Sequence, residues 1–292
     1  MTEVLVERVR RFNRTVTQRL GVLDDAYLSM SRPLSQARLL WEIGTRPVSV
    51  RELRNRLDLD SGYLSRLLRA LEADGVVEVG ADTGDARVRT VALTEAGRAE
   101  WAELDKRSQD FAGDILRPLN DGQRDRLVTA MAEVERLLLA SMVEVAVTDP
   151  RLPRAQHCLS SYYADLDARL ADGFDPVRTA KTGVAELSLP AGLFLVASLH
   201  GEPVGCGALR LHGEVAEIKR MWVSAEVRGL GLGRRLIAEL EAHARRHGAS
   251  RVRLDTNREF TEAIALYRSL GFTEVPAFNA EPYAHHWFAK DL

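Results

Sequence analysis

The most constraining segment of the chain is Arg228-Gly229-Leu230-Gly231-Leu232-Gly233, which follows the apolar run Met221-Trp222-Val223 and leads into an amphipathic stretch from Arg234 to His247. In order, these read as a strand, a glycine-rich loop and a helix N-terminus. The first amides of a helix have no intrahelical acceptor, the helix dipole places positive potential behind them, and glycines let the backbone approach an anion closely. The segment therefore predicts an α/β arrangement that holds a phosphorylated cofactor. A dinucleotide fold fits poorly, because the glycines follow three strands that read as antiparallel instead of opening a βαβ unit. A P-loop is excluded, since the Gly-Lys-Ser/Thr element is missing.

The rest of the sequence bounds the reading. A chain of 292 residues, 46% hydrophobic and 28% charged, has room for two ordinary domains. Its formal charge of −2 gives no global attraction to nucleic acid, so any such binding requires a locally basic surface. Cys158 and Cys206 match no metal-ligand spacing and read as reduced structural thiols, consistent with a cytoplasmic location. No metal is expected, and His285 and His286, adjacent on a strand, point to opposite faces; with Tyr283 they are candidates to face an acceptor pocket. The opening MTEVLVERVRRFNRTV interleaves charges with apolar residues, like neither a signal peptide nor a membrane anchor. The two-proline segment Val147 to Pro153 is the expected boundary, giving domains at 1–146 and 152–292.

Before that boundary, apolar periodicity predicts a helix over the first twenty residues, then short helices at 35–44 and 49–57. A helix from Asp60 or Ser61 to Gly75 and a hairpin over 76–93 come next. A helix capped by Thr94 runs to about Leu116, and one opened by Asn120 and Gln123 to about Val145. This order, with Asp85-Ala86-Arg87 followed by Leu93-Thr94 and Gly97, resembles the MarR family of winged-helix transcriptional regulators. A recognition helix enters the major groove while a β-wing reaches the adjacent minor groove. On that helix Ser61, Gly62, Tyr63, Ser65, Arg66 and Arg69 are the small or polar positions, and Leu64, Leu67, Leu68 and Leu71 form the inward stripe. Arg66 and Arg69 share a face, either to contact operator DNA or simply as a solvated surface. Arg87 resembles the family's wing-tip arginine. The resemblance also implies that the apolar stripes of the terminal helices interlock two subunits into a homodimer; packing on the second domain is the other reading. Trp41 and Trp101 read as core residues or as the lining of an effector pocket.

Beyond the boundary a helix at 154–170, strands near 193–199, 204–211 and 215–223, a helix from Leu232, a strand at 251–254, a helix at 261–270 and two final strands make an α/β (α+β) unit. Arg228, Gly231 and Gly233, with Glu217 to Val223 before them and Asn257, Ala263 to Tyr267 and Leu270-Gly271-Phe272 after them, resemble the GNAT superfamily of acetyl-CoA-dependent N-acetyltransferases. The resemblance implies acetyl-CoA as co-substrate. Its pyrophosphate would be held by the amides of Arg228, Gly229, Leu230, Gly231, Leu232, Gly233 and Arg234, and its pantetheine arm by the edge of Met221, Trp222 and Val223 and by Asn257. An amide near Trp222 or Val223 would polarise the thioester carbonyl. Glu217 resembles the base of histone-type members and, by strand alternation, shares a face with Lys219, Met221 and Val223; a strand salt bridge is its other reading. Tyr267 resembles the general acid, with core packing as its alternative.

The sequence thus describes a mainly α winged helix-turn-helix domain followed by a GNAT-type acyltransferase domain. The leading function is a bifunctional transcriptional regulator and N-acetyltransferase that transfers directly to a small-molecule or protein amine. A regulator whose acyltransferase half only senses acyl-CoA is the second reading, and a winged helix serving as a protein-interaction scaffold is the third.

Overall fold

Helices with one leucine face surround a small sheet in the first of the chain's two units. The computed structural model describes residues 3–20, 28, 32–81, 87–170, 173–175 and 183–292, and the chain divides at Met1–Ala130 and Met131–Leu292. In order, the helices and strands begin with α1 (Glu3–Arg19), α2 (Leu34–Ile43), β1 (Val48–Ser49), α3 (Val50–Leu57) and α4 (Ser61–Ala73). They continue with β2 (Val77–Ala81), β3 (Arg89–Leu93), α5 (Glu95–Leu116) and α6 (Asp121–Met142). The strands pair antiparallel in the order β1-β3-β2. Leu39, Leu40, Leu53, Leu64 and Leu71 are fully buried beside Val76, Val77, Val91 and Leu93, which is the three-helix core with its hairpin.

Local chemistry sets the ends of these elements. Ser49 accepts a hydrogen bond from the Glu52 amide at 3.0 Å, while the Glu52 carboxylate pairs with Arg56, so only half of the capping box forms. At α6 the box is reciprocal, Asn120 and Gln123 each accepting from the other's amide at 3.0 and 3.1 Å. The Thr94 hydroxyl caps α5 through the Gly97 amide at 3.1 Å and donates to the Gly75 carbonyl at 2.7 Å. Gly97 has a steric reason: a Cβ there would overlap the Val76 carbonyl, so only glycine lets α5 lie against the start of β2. The expected wing marker Asp85-Ala86 lies outside the described residues.

The second unit differs from the expectation at its beginning. The last N-terminal helix ends at Met142, not near Val145. Residues read as helix end and linker instead form β4 (Glu144–Val147), an edge strand antiparallel to β5, and the Thr148 amide extends the ladder to the Phe194 carbonyl at 2.8 Å. The alternating Val145 and Val147 read equally well as either element, and pairing decides between them. The unit continues with α7 (Pro153–Arg169), β5 (Gly192–Leu199), β6 (Glu202–His212), β7 (Val215–Val223) and α8 (Leu232–Arg246). It ends with β8 (Arg251–Thr256), α9 (Thr261–Ser269), β9 (Thr273–Glu274) and β10 (His286–Asp291). Seven strands form one sheet in the order β4-β5-β6-β7-β8-β10-β9, with β7 and β8 the parallel pair. One face carries Leu209, Ile218 and Phe288 against Leu236 and Leu240 of α8. The other carries Phe194, Cys206 and Ala208 against Ala155 and Cys158 of α7. No helix among the described residues is long and apolar enough to cross a membrane.

Candidate functional site

Two departures from regular sheet geometry create the site. On β7, Lys219 pairs with Ala208 and Trp222 with Cys206, so Arg220 and Met221 together oppose Gly207 in a bulge. Arg220 takes a left-handed φ of 55° to make it. Gly207 leaves room for two side-chain ends, since a Cβ would stand 2.8 Å from Met221 Sδ and 2.9 Å from Leu240 Cδ1 and these would have to shift. The extra residue shifts the alternation. Glu217, Lys219 and Trp222 therefore share the α7 face, while Met221 and Val223 turn to the α8 core. The expectation that Glu217 shares a face with Met221 and Val223 is corrected: it counted by twos across a bulge.

The second departure is a splay. The parallel pairing of β7 with β8 covers only Val215–Glu217 against Arg251–Arg253, although both strands continue. Beyond it the strands part around a cavity of about 610 Å³. Its walls include Ile218 to Val223, Leu254 to Asn257, Tyr162, Tyr267, and Val227 to Gly229 with Gly231 to Arg234 of the following loop. Where the ladder stops, side chains bridge the gap. Lys219 bonds to both Glu217, at 2.8 Å, and Asp255. Asn279 donates to Asp255 at 3.0 Å and is itself held by the indole N–H of Trp287 at 2.8 Å.

The loop of the sequence motif closes one end of this cavity. Gly229 and Gly231 have φ of 83° and 77°, conformations that favour glycine, and nothing lies near their missing Cβ atoms. Gly231 is the N-cap of α8 and supplies no side-chain cap, so the amides of Leu232, Gly233 and Arg234 keep no intrahelical acceptor. Gly233 serves packing, since a Cβ there would meet Leu266 at 3.1 Å. The Arg228 guanidinium braces the loop, donating to the Val223 carbonyl at 3.2 Å and to Asp165 at 3.0 Å, and Arg234 donates to Ser269 at 3.0 Å.

The remaining expected residues separate into two groups. Tyr267 lines the cavity, 6% exposed, against Phe272 and Phe288, and its hydroxyl takes no protein hydrogen-bond partner among the described residues. Burial raises its phenol above the ordinary range. Asn257 also lines the cavity, with its amide donating to the Tyr283 carbonyl at 2.8 Å and its oxygen accepting from the Glu259 amide at 2.9 Å, so it shapes the β8–α9 turn. Glu217 lies elsewhere, lining a second cavity of about 350 Å³ with Arg210, His212 and Arg253. Lys219, Arg220 and Glu281 border both cavities. Burial works to raise the Glu217 carboxyl, but Lys219, with Arg253 and Arg210, outweighs it and holds the group below the ordinary range. Tyr283 lines the first cavity. His286 does not enter it and is held by Glu274 at 2.6 Å. Sequence reasoning missed Tyr162, whose phenol burial pushes up to about 12, and Arg220, whose guanidinium lies over it.

In the first unit α4 has the expected faces. Asp60 caps it through the Tyr63 amide at 2.8 Å. Leu64, Leu67, Leu68 and Leu71 are buried, and Ser61, Gly62, Arg66 and Arg69 are exposed, with Tyr63 and Ser65 half-buried. Arg66 stacks over the Tyr63 ring at 5.6 Å, Arg69 donates to the Ser65 carbonyl at 3.2 Å, and neither has a carboxylate partner among the described residues. Arg87 is exposed just before β3. Trp41 and Trp101 stack on each other at 5.4 Å, Trp101 against the core.

Known proteins match both units. The model for the acetyltransferase (GNAT) family matches residues 156–272 and that for the MarR family residues 30–88. The IAA acetyltransferase of Azospirillum brasilense is 35% identical over 139 residues, which are 47% of this chain and 90% of that protein. The N-alpha-acetyltransferase RimI of Mycobacterium tuberculosis is 34% identical over 125 residues, 41% of this chain and 73% of the relative. The HTH-type transcriptional regulator TtmR of Methylorubrum extorquens is 42% identical over 67 residues, 23% of this chain and 33% of that regulator. A splayed parallel strand pair, an uncapped glycine-rich helix start and a leucine-cored helix-turn-helix, with these matches, make the chain a member of the GNAT acetyltransferase family through its C-terminal unit, fused to an N-terminal MarR-like helix-turn-helix domain.

Proposed function

We propose that the C-terminal unit transfers an acetyl group directly from acetyl-CoA to an amine, and that the N-terminal unit binds operator DNA as a homodimer. The observation that carries the first part is the splay between β7 and β8, which opens one cavity onto both the uncapped start of α8 and the Tyr267 phenol. The residues fit the co-substrate: two left-handed glycines clear side chains from beside the uncapped amides at the start of α8, which is what a pyrophosphate needs. Acetyl-CoA supplies an activated thioester. The amides of Gly229, Leu232, Gly233 and Arg234 hold its diphosphate, those of Arg228 and Leu230 being turned to the Ala225 and Val227 carbonyls at 3.3 and 3.4 Å, and the unpaired edge of Met221 to Val223 takes the pantetheine like an added strand. Bulge amides near Trp222 accept the negative charge that develops on the carbonyl oxygen. Asn257 positions the facing wall. Tyr267 keeps its proton across the neutral range and gives it to the departing sulfur. Glu217, held as a carboxylate at the second cavity, draws the proton of the incoming ammonium through water.

On α4, Ser61, Gly62, Tyr63, Ser65, Arg66 and Arg69 form the DNA-facing surface, and Arg87 adds a wing contact. The exposed Val4, Leu5, Val9 and Phe12 stripe of α1 supplies a face for the second subunit.

A sensor with little turnover has one observation in its favour: the ion pairs of Glu217 lower its basicity. The deciding experiment measures free thiol release from acetyl-CoA with a broad amine panel, alongside calorimetric binding of CoA. Amine-dependent release supports catalysis. Binding without release, coupled to a change in operator affinity, supports the sensor.

A further inference from the structure

The cations at the second cavity are unequally matched with anions. Arg210 lies 2.9 Å from Glu186, Lys219 2.8 Å from Glu217, and Arg253 3.6 Å from Glu217. Arg220 differs: among the described residues no carboxylate stands within ion-pair distance of it. Its guanidinium rests over the rings of Tyr162 and Tyr163, at 5.6 and 5.3 Å, and borders both cavities. The chain also holds this residue at a φ of 55°, in the left-handed region that disfavours a non-glycine residue. A strained backbone thus presents an unmatched, aromatic-braced cation where the acetyl-transfer cavity meets the smaller one.

Glu217 does not neutralise this charge, because Lys219 and Arg253 flank it and His212 lies 3.8 Å away. Glu281 and Lys219 border the same junction, and because Lys219 is already paired with Glu217 and Asp255, Arg220 is, among the described residues, the cation an occupant meets there without an anion on it. A space of about 350 Å³ suits a metabolite of amino-acid size. A guanidinium fork matches a carboxylate in two parallel hydrogen bonds. Resting on the transferase reading above, we infer that the acetyl acceptor is a small amine that carries a carboxylate beside its nitrogen, and that Arg220 is the residue that selects that carboxylate.

The test uses the full-length protein and matched sets of amines: each common amino acid, its carboxamide and its decarboxylated amine. Thiol release gives kcat/KM for every member, in the wild type and in Arg220→Gln and Arg220→Lys. The expected result is a preference of about tenfold to a hundredfold for at least one acid over its amide, the scale of a charge-assisted pair. That ratio falls towards one in Arg220→Gln and is partly kept in Arg220→Lys. CoA binding and melting temperature confirm that each variant folds. Amides or plain amines turned over as well as acids, or an acid preference untouched in Arg220→Gln, overturn the inference. If no amine is turned over, calorimetry of N-acetyl amino acids and their amides against the CoA-loaded protein decides. Tighter binding of the acids, lost in Arg220→Gln, upholds the carboxylate site while the catalytic reading fails; equal binding overturns the site as well.

Discussion

Lys219 Nζ stands 2.8 Å from the Glu217 carboxylate at the point where β7 and β8 cease to pair. The carboxyl is 4% exposed, and burial opposes its charge, but the surrounding cations prevail and hold it below its ordinary value of 4.5. A depressed folded-state pKa stabilises the fold above the unfolded value, and that contribution is lost as pH falls through the folded one. Glu217→Gln is therefore expected to destabilise the protein by roughly 2 kcal/mol at neutral pH, the scale of a charge-assisted hydrogen bond. The gap to wild type closes in acid, as pH falls below the ordinary value of 4.5 and through the lower folded-state one. Paired thermal melts across that range read it directly. A gap that persists unchanged into acid assigns the loss to packing instead.

Gly231 and its neighbours test the anion cradle. With φ at 77° and open space around the missing Cβ, Gly231 is needed for conformation and not for room. Gly231→Val is expected to lower CoA affinity by at least about tenfold, since a β-branched residue resists the left-handed region and the helix start must re-form. Gly231→Asn, which tolerates that region, recovers part of the affinity. Calorimetric titration with CoA gives the order, and equal affinities for the three proteins would exclude a conformational role.

Most of the elements could be read from apolar periodicity and caps, because these are local signals. The asparagine–glutamine pair at α6 and the glycine-rich start of α8 are examples. The site itself was less legible. A bulge adds one residue to a strand without changing its composition, so alternation carried Glu217 onto the wrong face relative to Met221. The available hint was Gly207, a glycine within a strand and opposite the bulge. The network of Glu217, Asp255 and Asn279 joins residues distant in sequence, and only sheet order brings them together. Nothing local in the sequence distinguishes Arg220 from other strand cations; its left-handed backbone and the two tyrosine rings beneath it come from the bulge and from α7.

Tyr267 separates proton transfer from packing. Burial raises its phenol above the ordinary value of 10, so it stays protonated throughout the neutral and mildly alkaline range. Tyr267→Phe keeps the ring among Phe272 and Phe288 and removes only the hydroxyl. The expected outcome is a fall in kcat of about a hundredfold with the KM for acetyl-CoA nearly unchanged. Steady-state kinetics with any accepted amine measures both. A Phe variant at full kcat leaves Tyr267 as a packing residue.

Arg66 and Arg69 are exposed on α4 with no carboxylate partner among the described residues, so on the proposed reading their charge serves DNA. Each arginine that neutralises a phosphate adds about 0.9 to the slope of log affinity against log salt. For duplexes enriched from a random pool, Arg66→Ala and Arg69→Ala are each expected to reduce that slope by about one unit if the side chain sits on phosphate, weakening all sequences alike. A side chain that reads guanine instead costs about 1–3 kcal/mol and relaxes the preference at one base pair. Fluorescence anisotropy over a salt series, repeated with duplexes altered at single positions, distinguishes the two. Binding that is insensitive to salt and unaffected by either substitution would move the helix off DNA and make the winged unit a protein-docking module.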